Sequence, residues 1–311
     1  MSGMRTPAER NAMPGAVRAV LPDGRRRHFQ HGPIDLVLEA FGPADEVAAF
    51  HEQAWARFRT VLGELAGELA ALRTDIRAMP VVRGSTARRM AAACAPYGGD
   101  FVTPMAVVAG AVADEVLAAA LAGRRLSRAY VNNGGDIAIH LAPGERFRTG
   151  MVALGEAPEA AGIAEISSED GIAGLATSGW RGRSLSLGIA DSVTVLAGNA
   201  AAADVAATLI ANAVNVDSPA VKRIPARELD PDSDLGVRPV TVEVGTLRAA
   251  EVATAMAAGR AAAQSMAGRG LIAAAALCLC GDRAVVAGTS PAVSLETDDP
   301  VSGPDERAEA A

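Results

Sequence analysis

Between residues 129 and 141 an apolar stretch is broken once, by Asn132-Asn133-Gly134-Gly135-Asp136. Ala129–Val131 before the break and Ile137–Leu141 after it each read as a strand, so the break is a tight polar turn joining them. Paired glycines let a backbone reach positive φ and come close to another group, while the asparagines and the aspartate bring short polar side chains to the same place. Taken alone the signal is weak, because Asn-Gly and Gly-Gly turns are ordinary hairpin chemistry.

The rest of the chain sets that hairpin among helices. Val17–Leu21 and Ile34–Ala40 read as strands joined by the polar turn Pro22–Gly32. Ala44–Leu72 has helical spacing, with Val47, Phe50, Ala54, Phe58, Val61, Leu62, Leu65 and Leu69 on one side. A short helix over Thr86–Ala95 stops at Pro96 and Gly98-Gly99, and Thr103-Pro104 opens a helix to Ala122. Its small face, Ala106, Ala109, Gly110 and Ala113, suits close packing on a sheet as well as a flat ligand. Strands are expected at Met151–Leu154, Ile163–Ile166, Ile172–Ala176 and Ser192–Leu196, with Thr177-Ser178-Gly179 as a turn. Helices are expected over Ala200–Asn215 and Leu247–Met266 on either side of a loop-rich Pro219–Pro239. A closing hairpin follows, Leu271–Cys280 with Ala284–Ala287. Hairpins and helices alternate in blocks without a β-α-β rhythm, which predicts an α+β fold of mixed sheets packed with helices. Residues 1–15 read as a disordered N-terminus, 16–288 as a single domain and 289–311 as a disordered acidic tail.

Composition removes several functions. The formal charge is −7 and aromatics make up 3%, which weighs against a nucleic-acid partner. Arg25–Arg27 reads as a solvated turn. Cys94, Cys278 and Cys280 form no disulfide framework, and alternation puts Cys278 and Cys280 on one face as small buried apolar groups. The N-terminal stretch lacks an apolar signal segment and no run reads as membrane-spanning, so the expected location is cytoplasmic, with no membrane partner. There is no Gly-x-Gly-x-x-Gly fingerprint, Walker loop or His-Glu-x-x-His. His31 is a weak pocket candidate. Oligomerisation is left open, a homo-oligomer included.

Asp204 and Thr208 stand four apart and share a helical face. A carboxylate and a hydroxyl are hard oxygen ligands and suit Mg²⁺, although an aspartate facing solvent beside a packed threonine accounts for the same spacing. Three features follow in order: Asn132 to Asp136, Ala176-Thr177-Ser178-Gly179, and Asp191–Val195 leading to Ala203–Thr208. That order resembles the superfamily of ApbE-type FAD:protein FMN transferases, whose fold is related to the T-fold. His31-Gly32-Pro33-Ile34-Asp35-Leu36, Pro104–Gly110, Asn133–Ile137, Thr177–Gly179 and Ser184–Asp191 are more closely similar to its UPF0280 family, over about residues 17 to 288.

The resemblance implies a bound flavin nucleotide, FAD or FMN. Asn133, Gly134, Gly135, Asp136, Thr177, Ser178 and Gly179 would line its pocket, with Gly110 on the neighbouring helix. Asp204 and Thr208 would hold Mg²⁺ against the pyrophosphate. The implied chemistry is FMN transfer to a protein hydroxyl or FAD pyrophosphate hydrolysis, and no catalytic residue is assigned. The chain departs from the transferase pattern twice. Ala109 replaces a lysine before Gly110, and Trp180–Ala190 lacks the His-x-x-Asp-Pro-x-Thr-Gly segment. The alternative is therefore a protein that binds a flavin or another nucleotide without cleaving it, or a structural one.

Overall fold

The computed structural model describes residues 15–154, 158–288 and 295–296. Of the ends expected to be disordered, 1–15 and 289–311, only Gly15 and Leu295–Glu296 are among the described residues, and Leu295–Glu296 is a short strand paired with Ala164 and Ile163. The strands are β1 Val17–Val20, β2 Arg27–His31, β3 Ile34–Phe41, β4 Arg128–Asn133, β5 Asp136–Leu141, β6 Arg146–Leu154, β7 Pro158–Ser167, β8 Gly174–Ser178, β9 Ser192–Ala197, β10 Val221–Pro225, β11 Pro239–Val244, β12 Ala274–Leu279 and β13 Asp282–Ala287. The longer helices are α1 Ala44–Gly67, α2 Ser85–Cys94, α3 Val108–Leu121, α4 Ala200–Ala213 and α5 Ala249–Gly268.

One sheet carries nine strands in the order β1-β2-β3-β4-β5-β8-β9-β12-β13, and each neighbouring pair is antiparallel. β6 and β7, with the short strand Leu295–Glu296 on the other edge of β7, form a separate antiparallel layer, and β10 pairs with β11. The fold is α+β, as the blockwise order of the sequence predicts.

Strand alternation divides the core. Leu36 and Leu38, Ala129 and Val131, Ala138, Val193 and Val195 face the helices and join Phe50, Phe58, Val112, Val116, Val205 and Ile210 in one cluster. The intervening residues Ile137, Ile139, Leu175, Leu196 and Ala274 meet Ala164 and Ile166 of β7 on the other side. Pro104–Leu121, with a mean hydropathy of 1.7, is long and apolar enough by composition to cross a membrane, against the expectation that no run is. Here it packs inside the fold, with Gly110, Ala111, Val112, Ala113 and Val116 buried.

Several elements differ from expectation for identifiable reasons. β2 lies inside the segment read as a polar turn. Its arginine, histidines and glutamine mask an alternation whose one fully buried member is Phe29. The long first helix stops at Gly67, a poor helix former, and Leu69–Leu72 forms a separate short turn. The Pro219–Pro239 segment contains β10. Thr177 and Ser178 are the last residues of β8, paired with Thr194 and Val193, so they end a strand and do not make a turn. Cys280 leaves the alternation because it sits in the β12–β13 turn at φ 52, where its thiol is exposed while Cys278 is buried.

Candidate functional site

The β4–β5 hairpin closes on Gly134-Gly135, with φ of +66° and +116°, and Asn133 stands opposite Asp136 in register. Positive φ at both central residues is the geometry that matches the twist of a two-residue hairpin. Asn132 Oδ1 accepts the Gly135 N–H at 2.8 Å, which fixes the loop from within. The register also turns the side chains of Asn133 and Asp136 towards the helices, in line with Val131 and Ala138.

Helices α3 and α4 meet that end of the sheet. Asn133 Nδ2 donates to Ala109 O at 3.1 Å. The N–H of Gly110 donates to Asp204 Oδ2 at 3.0 Å. Asp114, one turn further along α3, accepts the N–H groups of Ala200 and Ala201 at 3.0 and 2.9 Å, so it caps the start of α4. Gly110 is obligatory for this contact, since a Cβ there would lie 2.5 Å from Ala200 O and 2.9 Å from Ala201 N. The small face of α3 thus serves close helix packing, and the glycine supplies a hydrogen bond besides.

The result is a pair of buried carboxyls, Asp136 and Asp204, facing each other between sheet and helix. Asp136 also accepts the Thr177 N–H at 3.3 Å. Burial pushes the Asp136 carboxyl well above its usual range. Burial and then the charge of Asp136 raise Asp204. Burial raises Asp114 as well. Neither Asp136 nor Asp204 has a Lys or Arg ion-pair partner among the described residues, so the pair carries an uncompensated acidic character.

The sequence candidates do not all point to one place. Gly110, Asn133, Gly134, Gly135, Asp136 and Asp204 come together at the helix end of β4 and β5. Thr208 is half-buried one turn beyond Asp204 on α4. The Thr177 hydroxyl is bonded to that of Thr194 at 2.9 Å, and strand alternation turns it to the opposite sheet face, so Thr177 reaches the carboxyl pair only through its backbone N–H. Gly179 passes against the backbone of Asp191, where a Cβ would stand 2.4 Å from Asp191 O. His31 has a buried Nδ1 without a partner among the described residues and meets the Phe58 ring edge to face, centroids 6.3 Å apart.

Among the described residues no group of three or more His, Cys, Asp and Glu side chains is arranged to hold a metal. A surface hollow of about 310 Å³ lies elsewhere, lined by Asn215, Val216, Asp217 and Arg223. Sequence reasoning missed the arginines of the β8–β9 loop. Arg181 binds Asp191 at 3.0 Å and covers the Trp180 ring at 4.6 Å, and Arg183 lies over Gly134. Loop residues have no periodicity to reveal them.

The family model described as AbpE bacteria matches residues 18–285, and the chain belongs to that family. UPF0280 proteins are among its relatives. That of Methanothrix thermoacetophila is 41% identical over 118 residues, 38% of this chain and 48% of the relative. That of Methanopyrus kandleri is 38% identical over 136 residues, 43% and 51% of the two chains. The matched region thus spans about half the length of the curated relatives. Two solved structures are similar over 88% of the chain. The ApbE protein of Thermotoga maritima, 96% covered, has a TM-score of 0.42 and 13% identity. The apo flavinyl transferase ApbE of Pseudomonas stutzeri, 94% covered, has a TM-score of 0.38 and 12% identity.

Proposed function

We propose that the chain is a cytoplasmic, single-domain protein over residues 16–288 that binds a flavin nucleotide, FAD or FMN, together with a divalent cation such as Mg²⁺. The observation that carries this reading is the facing of Asp136 and Asp204, two buried carboxyls with no basic partner beside them among the described residues. Their donor chemistry fits a small hard cation, which takes carboxylate oxygens and keeps sites for waters and phosphate. Asp204 has one oxygen committed to Gly110 and Asp136 one to Thr177, and a cation would take the remaining oxygens in place of the hydrogen bond between the two carboxyls. Thr208 is the further hydroxyl within one helical turn. A cation held there supplies neutralisation of phosphate charge.

The chain's own groups do the positioning. Gly110 holds Asp204 in orientation by its N–H. Asn133 ties the Gly-Gly turn to α3 through Ala109 O, and the open Gly134-Gly135 backbone admits a ligand to close approach. Asn133, Gly134, Gly135, Asp136 and the ends of β8 at Ser178 and Gly179 line the nucleotide's place.

Binding without group transfer is the second reading. It is favoured by the Trp180–Ala190 loop, which has neither a histidine nor an acid to move a proton. Titration of FAD and FMN into the protein with and without Mg²⁺, followed by assay for AMP, tests both readings. Flavin binding that needs Mg²⁺ and is lost in Asp204→Ala supports the site. AMP release above that variant establishes cleavage, and absence of any flavin binding removes the proposal.

A further inference from the structure

The loop between β8 and β9 carries two arginines with opposite situations. Its base is closed by the Trp180 N–H donating to Ala190 O at 3.0 Å, and its first turn by the Gly182 N–H donating to Gly179 O at 3.1 Å. Arg181 is spent on this structure. Its Nε donates to Asp191 Oδ1 at 3.0 Å, and its guanidinium stacks on Trp180, whose indole N–H also reaches Asp191 at 3.3 Å. Arg183, two residues on, is exposed and has no ion pair or side-chain hydrogen bond among the described residues. Its Nη1 stands 3.6 Å from the point where a Gly134 Cβ would be, so the guanidinium lies over the Gly-Gly turn.

We propose that Arg183 is the oxyanion-binding residue of this site, taking a phosphate oxygen of the nucleotide while the Asp136–Asp204 side takes the cation. The inference rests on the nucleotide reading above and adds a residue to it. A free guanidinium is a planar fork matched to phosphate oxygens. The pinned base of the loop fixes its approach in advance, which lowers the ordering cost of binding. Gly134 is exposed, so a ligand can reach the turn beside the guanidinium from solvent. A buried carboxyl pair at the foot of the hairpin and a guanidinium over its turn are together complementary to a metal-bound polyphosphate, which offers both a cation and phosphate oxygens.

Calorimetric titration of wild type, Arg183→Gln and Arg183→Lys with FAD and with inorganic pyrophosphate, each in the presence of Mg²⁺, tests the assignment. Arg183→Gln is expected to weaken both ligands about tenfold or more, the scale of a lost hydrogen bond to a charged group. Arg183→Lys should recover part of the loss, and riboflavin, which has no phosphate, should discriminate none of the three proteins. Because Arg183 makes no contact that holds the fold, all three should melt alike. Equal pyrophosphate affinity in wild type and Arg183→Gln, or no pyrophosphate binding by wild type, overturns the proposal. Wild type that takes pyrophosphate but not FAD removes the flavin reading and leaves Arg183 in place.

Discussion

Gly110 and Asp204 are joined by a 3.0 Å hydrogen bond from backbone N–H to Oδ2, across a helix contact that only glycine permits. The neighbour that a Cβ would strike is backbone, Ala200 O at 2.5 Å, so no side chain can swing away to make room. Gly110→Ala is therefore expected to push α3 and α4 apart and cost about 1–3 kcal/mol, the range of core overpacking. The same shift loosens the Asp114 cap on Ala200 and Ala201. Urea unfolding with an unchanged m-value reads the cost. A change below about 0.5 kcal/mol, typical of a neutral surface substitution, would show that the contact is not close.

Asp204→Asn separates the carboxyl pair's cost from its use. The amide keeps an oxygen to accept the Gly110 N–H but cannot ionise, so it drops the penalty that burial and Asp136 place on the Asp204 carboxylate in the folded state. Without divalent cation the variant should be more stable than wild type at neutral pH by on the order of 1 kcal/mol. Added Mg²⁺ should raise the melting temperature of wild type, since a ligand of the folded state stabilises it by mass action, and should leave the variant unmoved. Equal Mg²⁺ shifts in both proteins would count against Asp204 as a ligand.

What could be read from sequence follows from how each signal is encoded. The hairpin at Gly134-Gly135 and α4 were legible because turn chemistry and helical spacing are local. The pairing of β8 with β5 and β9, which presents the Thr177 N–H to Asp136, depends on strands far apart in sequence and leaves no local mark. Thr177-Ser178-Gly179 looked like a turn because its residue types favour turns, yet pairing with β9 makes the first two strand. Gly110 is open in sequence to close packing on a sheet or to a flat ligand, and its actual packing partner, the start of α4, appears only when that helix is laid against it. Arg183 gave no signal at all, being an exposed arginine among serines and glycines.

His51 gives the fold a pH dependence with a definite sign. It is buried on α1, and burial, reinforced by the charge of Arg27, lowers its pKa from 6.5 to about 4. The unfolded chain therefore takes up the proton first. Its contribution to stability is complete above pH 6.5 and is lost as pH falls through about 4. Its Nε2 has no hydrogen-bond partner among the described residues, so a neutral replacement forfeits no bond there. His51→Leu should flatten the fall in stability across this window compared with wild type, measured as urea midpoints at matched pH values. Parallel profiles for the two proteins would exclude His51 as the origin of acid sensitivity in this range.

Glu115 follows Asp114 on α3 but serves a different structure. Its buried carboxylate accepts from Arg57 Nε at 2.9 Å, Arg89 Nε at 2.7 Å and the Ser85 hydroxyl at 2.5 Å, tying α1 and α2 to α3. Successive helical residues point about 100° apart, which is why Asp114 reaches α4 while Glu115 faces the other way. Arg57 retains Glu64 at 2.7 Å when Glu115 is lost, and Arg89 is partly solvated, so neither guanidinium is stranded. Glu115→Ala should accordingly cost about 2 kcal/mol, less than the roughly 3–5 kcal/mol of breaking a fully buried pair. Flavin nucleotide affinity of the folded variant should match wild type, because none of these groups touches Asp136 or Asp204. Chemical denaturation alongside FAD titration separates the two effects, and an affinity loss as large as that of Asp204→Ala would place this ion-pair network in the binding site after all.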